Sequence, residues 1–158
     1  MSILRKPTAA PVPKTNDVRR IATFYASLLV IMAVAQLFTF DDFLALVSSF
    51  ELIGGTSTAY FLGSLVIALE VFALPFLLRM PLSPAFRWVS MVAGWLVAAI
   101  WLKLTIWQLF VSSDIETVGF LGTAITLMPG WWAVFISLSF GILAAWSGWG
   151  MWPVKRKK

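Results

Sequence analysis

The chain has 158 residues, of which 60% are hydrophobic and only 12% charged, and its mean hydropathy is +0.90. A soluble domain carries about 25% charged residues, so this composition excludes one and fits a single compact all-α membrane domain. There is no cysteine and no histidine, which excludes thiol–disulfide chemistry by this chain, histidine-ligated haem and the usual zinc sites. The net charge is +5, but the cations gather at the chain ends and in one short turn. That arrangement orients a protein in a membrane and touches anionic lipid. It offers no basic face alternating with exposed aromatics, so no nucleic acid is expected as a partner. Seven carboxylates are scattered along the chain. No metal site and no catalytic residue are assigned.

Residues 1–20 are polar and rich in Pro, Lys and Arg, with three prolines in the first thirteen positions. Proline interrupts helices, so this stretch reads as a mostly disordered cytoplasmic arm, and Asp17 is a candidate cap for the helix that follows. The first span runs from about Ile21 to Phe40. The basic residues, the apolar run and Ala33-Val34-Ala35 also fit a cleavable signal peptide, but the basic region is long for one and the apolar run continues to Phe40. Ala22, Tyr25, Leu29, Ala33 and Gln36 recur at helical spacing and form its mildly polar face. Residues 41–56 carry an outer acidic cluster of Asp41, Asp42 and Glu51. Phe43, Leu44, Leu46 and Val47 there predict a short amphipathic helix on the outer surface. Gly54-Gly55-Thr56 supplies the break after it.

The second span, Tyr60 to Arg79, carries one carboxylate within its apolar run, Glu70. A carboxylate at that depth needs a partner, a proton or a cavity. Pro75, five residues on, lacks an N–H and predicts a kink with a freed carbonyl at Val71. The third span, Phe86 to Phe110, has a small-residue stripe of Ser90, Gly94 and Ala98 that admits close helix packing. Trp101, Thr105 and Gln108 roughly continue it. Lys103 lies about 140° round the helix from Ala98. Residues 111–129 hold Asp114 and Glu116, then turn apolar but are too short to span before Pro129. They predict an interfacial or re-entrant segment. The fourth span, Gly130 to Met151, has tryptophans at both ends and a second small-residue stripe, Ser137, Gly141 and Ala145. The transmembrane domain is thus 21–152, followed by a basic cytoplasmic tail over 153–158. Cations in the arm, at Arg79 and Arg87 and in the tail put both termini in the cytoplasm of a bacterial inner membrane. Short connections favour an antiparallel four-helix bundle.

Depth counted from the nearest cation places Glu70 about 13 Å from the cytoplasmic edge, at about 1.5 Å per residue. Gln36 and Lys103 each fall at about 24 Å on the same scale. The count predicts that Lys103 extends outward to Asp41 or Asp42. It also predicts that Glu70 is held by Tyr25 or by backbone freed near Pro75. With no cation at that level, burial favours the neutral acid. Both a structural hydrogen bond and a functional carboxyl group are open readings of Glu70.

The end of the first span, AQLFTFDDFLALVSSFELI, and the Leu-x-x-x-Leu-Glu-Val run Leu65–Val71 resemble the DoxX-like and MauE-like small bacterial membrane proteins. The resemblance covers roughly residues 20–110 and omits the arm and the last span. Gln36-Leu37 stands where that family often has Lys-Leu, and Glu70 stands at its glutamate position. The resemblance implies an accessory or small structural subunit of a membrane redox or protein-maturation system. MauE is linked to maturation of methylamine dehydrogenase, and DoxX-like proteins to thiosulfate:quinone oxidoreduction or oxidative-stress complexes. Without cysteine, this chain leaves any thiols to a partner, either another membrane or periplasmic protein, or a second copy of itself. Two other readings stand beside it. One is a proton or solute transport module centred on Glu70. The other is a quinone-binding subunit in which Glu70 and Tyr25 hold the head group against Trp101 or Trp107.

Overall fold

The computed structural model describes residues 8–111 and 115–152. The expected basic tail and Asp114 lie outside the described residues. Five helices are found there: α1 (Asn16–Phe38), α2 (Phe40–Ser48), α3 (Gly55–Leu77), α4 (Pro84–Val111) and α5 (Trp131–Met151). All but α2 are long and apolar enough to cross a membrane. Their outward faces carry large apolar side chains, among them Phe24, Phe61, Phe110 and Phe135, each more than half exposed. The inward faces hold Gln36, Glu70, Ser90, Thr105, Gln108, Ser137 and Ser147, all buried. Apolar side chains outside and polar ones inside are what a bundle in lipid requires.

The four long helices close a ring. α1 packs on α3 and α5, and α4 completes the circuit between them, while α2 lies against α3. The start of α1 meets the end of α5 through a bond from the Lys14 amide to the Gly150 carbonyl. The Thr8 amide donates to the carbonyl of Leu82 in the α3–α4 turn. The Arg87 guanidinium donates to the carbonyls of Thr8, Ala9 and Leu82. Residues 8–15, expected within a disordered arm, are therefore tethered where they are described. This reach of chain also starts the first helix earlier than Ile21. Thr15, not Asp17, is its cap: the hydroxyl oxygen accepts from the Val18 amide.

α2 forms where the acidic apolar segment was expected, and its buried side chains are Phe43 and Val47. The break after it rests on Gly54 and Gly55, both at positive φ (105° and 69°), a region in which a β-carbon is unfavourable. α3 then runs through Pro75 and stops two residues later. Here α4 intervenes. The Ser90 hydroxyl donates to the Phe72 carbonyl at 2.6 Å and accepts from the Phe76 amide at 3.0 Å. It thereby inserts between a donor and an acceptor that a regular helix would pair directly. Backbone polar groups at membrane depth must be satisfied within the protein, and this serine does so beside the proline.

The stripe Ser90, Gly94 and Ala98 is buried against its neighbours, with the Ala73 β-carbon 3.6 Å from where a Gly94 β-carbon would lie. The expected α5 stripe does not pack within the bundle along its whole length. Only Ser137 is buried; Gly141 and Ala145 are half-buried, and nothing approaches within 4 Å of a β-carbon built on Gly141. A four-residue spacing drifts about 40° per step round a helix. The buried seam instead follows Ser137, Phe140, Ala144, Ser147 and Met151.

Ser90→Ala removes the acceptor of the Phe76 amide and the donor to Phe72. It is expected to lower unfolding stability in mild detergent by about 1–3 kcal/mol, while Ser90→Thr, which keeps the hydroxyl, stays near the parent. Equal melting of all three proteins would show that the proline turn needs no help from α4.

Candidate functional site

Glu70 is fully buried, as are Gln36, Trp101 and Tyr25. Its Oε1 accepts from the Trp101 indole Nε1 at 3.1 Å and from the Gln36 amide Nε2 at 3.3 Å. The same Gln36 nitrogen donates to the Phe120 carbonyl at 2.9 Å, so both of its N–H groups are used. One carboxyl group thus joins α3 to α1 and α4, and through Gln36 to the segment before α5. Phe120 closes the site from above. Its ring packs edge-on against Trp101 at 4.8 Å and against Phe140 at 5.7 Å.

These partners differ from those expected. Tyr25 does not hold Glu70: its hydroxyl donates to the Gly94 carbonyl at 2.9 Å. Backbone beside Pro75 does not hold it either: both bonds to Glu70 come from side chains, those of Trp101 and Gln36. Gln36, set about 10 Å away by counting residues, is in hydrogen-bond contact. Counting Cα positions neglects the direction of side chains, which lean toward the N-terminal end of their own helix. Thr8, ahead of α1, is bonded to Leu82, just past α3, and with α1 starting and α3 ending at that shared end Gln36 and Glu70 lean toward each other. Trp101 on α4 leans the same way as Gln36.

The remaining candidates are dispersed. Lys103 is exposed on α4. Neither Asp41 nor Asp42 stands beside it; its surroundings include Thr58, Leu62 and Trp107. Asp41, Asp42 and Glu51 are exposed. Trp107 donates its indole N–H to the Phe50 carbonyl, and Trp101 is committed to Glu70. Among the described residues no three acidic side chains form a group able to hold a metal.

Residue counting missed the role of Trp101 and of the segment 115–129. That segment carries no helix, yet Ile115, Thr117, Val118 and Phe120 are buried. It is pinned by Gln36 at Phe120 and by Gln108, whose Nε2 donates to the Val118 carbonyl at 3.2 Å. The signal was present. The chain has only two glutamines, and each begins a Gln-Leu-Phe triplet, Gln36-Leu37-Phe38 and Gln108-Leu109-Phe110. These triplets close α1 and nearly close α4. Two atoms stay unpartnered in this centre, Glu70 Oε2 and Gln36 Oε1. Both can accept hydrogen bonds, and a proton on Oε2 would turn that atom into a donor.

Comparison with protein-family models, curated proteins and solved structures finds no match.

Glu70→Gln keeps an acceptor for both donors and should melt within about 1 kcal/mol of the parent. Glu70→Ala strands the indole and amide N–H groups and opens a cavity, for an expected loss of about 3 kcal/mol or more. Lys103→Met, on an exposed face, should change stability by less than about 0.5 kcal/mol. Collapse of Lys103→Met with a silent Glu70→Ala would put the polar centre elsewhere.

Proposed function

We propose that this chain is an integral membrane accessory or small structural subunit, of the kind that the DoxX-like and MauE-like resemblance implies, serving a membrane redox or protein-maturation assembly. It supplies no catalytic thiol. The observation that carries this reading is the use made of Glu70. Its carboxyl group is sealed from solvent and spent on holding α1, α3 and α4 together. A quinone head group at Glu70 and Tyr25 would have to displace bonds already made to Trp101, Gln36 and the Gly94 carbonyl. A proton pathway would need further polar groups leading to the acid.

In this reading the four spans run up and down through a bacterial inner membrane with both termini in the cytoplasm. Residues 115–129 form an interfacial cap on the outer end, where Phe120 faces inward and residues 124–126 are exposed. Glu70 is a neutral acid. The Ser90 stripe is consumed within the bundle, and the open side of Gly141 and Ala145 on α5 receives a helix of the partner. Small residues permit that approach.

Purification in mild detergent, with mass spectrometry of proteins and lipids, tests the assignment. A specific membrane or periplasmic partner is expected. Gly141→Leu is expected to lose it at least tenfold without lowering the melting temperature of the isolated chain. Stoichiometric quinone in the purified protein, or proton flux in liposomes that Glu70→Gln abolishes, would contradict it. A reporter fused after Lys158 should read cytoplasmic and one near Glu51 periplasmic. The carboxyl region of the infrared spectrum should lose a protonated band in Glu70→Gln.

A further inference from the structure

A second polar feature lies away from Glu70, on the outward flank between α3 and α4. Lys103 opens there onto a cavity of about 260 Å³, walled by Leu52, Thr58, Leu62, Ile100 and Trp107 among others. That wall contains no carboxylate. Lys103 is also the one cation among the described residues at the end of the bundle where α1 finishes and α3 begins. An ammonium group on a span needs water or an anion.

The cavity touches a second source of positive potential. α3 has 23 residues, and no side chain caps its first turn, because Gly54 occupies the cap position. The Gly55 amide donates to the Leu52 carbonyl at 3.0 Å; the amides that follow it in that turn have no side-chain cap and carry the positive end of the helix dipole. Leu52 and Thr58, on either side of this helix start, are both in the cavity wall. Thr58 and Leu62 lie three and seven residues beyond Gly55, so about 4–10 Å along α3. That depth is shallow enough for a lipid headgroup to reach with its chains still in the bilayer. The volume falls just under the roughly 300–1,000 Å³ of pockets that enclose a whole small molecule. It suits part of an acyl chain whose remainder stays outside. Leu62, Ile100 and Leu104 supply an apolar wall for it.

We propose that this cavity binds an anionic phospholipid from the adjoining leaflet. Its phosphate sits between the Lys103 ammonium and the uncapped start of α3, and one acyl chain lies along Leu62 and Ile100. Asp41, Asp42, Glu51 and Glu116 are exposed, and none of them lines the cavity. An anionic headgroup therefore finds attraction at this one place rather than over the whole end, which makes the contact a site and not a general coating.

Native mass spectrometry of the full chain, titrated with phosphatidylglycerol and phosphatidylcholine of matched acyl chains, tests this. The parent is expected to retain phosphatidylglycerol preferentially. Lys103→Met should weaken that preference about fivefold, the worth of one lysine near a membrane surface. Lys103→Arg should keep most of it, and Ile100→Trp, which fills the cavity, should lose retention of both lipids. Melting curves of each variant accompany the titration, so that a folding defect is read separately. No preference in the parent, or a preference unchanged in folded Lys103→Met, would overturn the proposal. Retention of a single-chain fatty acid in place of phosphatidylglycerol would overturn the phospholipid assignment.

Discussion

A carboxyl group with no access to solvent, 3.1 Å from one indole and 3.3 Å from one amide, is the interaction on which the arrangement of this bundle depends. Moving such a group out of water is costly unless hydrogen bonds replace those lost. Both replacements come from other helices, so the bonds to Glu70 Oε1 are made only when α1, α3 and α4 are in register. Gln36 then passes the constraint on. Its second N–H fixes the Phe120 carbonyl, and the Phe120 ring covers Trp101. In lipid the hydrophobic effect does little to hold helices together, and packing with buried polar contacts carries specificity instead. An apolar residue at position 70 would pack well in many registers, whereas a glutamate has few places where its bonds can be made.

The same logic recurs one turn along α3. Pro75 removes a donor from the helix, and Ser90 inserts its hydroxyl between Phe72 and Phe76. Tyr25 reaches the Gly94 carbonyl in the same layer, and the Thr105 hydroxyl meets that of Ser137 across α4 and α5. Glu70, Ser90, Tyr25 and Thr105 each work across a helix interface in this way. The small residues Gly94 and Ala73 let the backbones approach closely enough for these short side chains to reach. At the outer surface the pattern reverses, and large apolar groups face outward from all four long helices.

Much of this architecture was legible in the sequence, because span length, hydropathy and glycine breaks are local properties. The four long helices and the short acidic one appear close to where the composition puts them. Glu70 stood out because a charge inside an apolar run is costly wherever the partners are. Its partners were not legible. Residue counting treats a helix as a line of Cα atoms, and the lean of Gln36 and Trp101 toward Glu70 lies off that line. Tyr25 looked like the nearer donor by depth, but its hydroxyl bonds the Gly94 carbonyl of α4 instead. The α5 stripe and the buried face of that helix do not coincide: Gly141 and Ala145 are small, but the buried seam alternates three- and four-residue steps. Segment 115–129 has no periodicity to read, and only the paired Gln-Leu-Phe triplets mark what holds it.

The central claim is that Glu70 acts through its bonds to neighbouring helices. A double-mutant cycle on Gln36→Leu and Glu70→Met, read as unfolding free energy in mild detergent, tests it most directly. The account predicts that the two losses overlap, with a coupling of about 1 kcal/mol, because either change breaks the same contact. Losses that add within about 0.3 kcal/mol would mean that the two side chains act independently, and would contradict it.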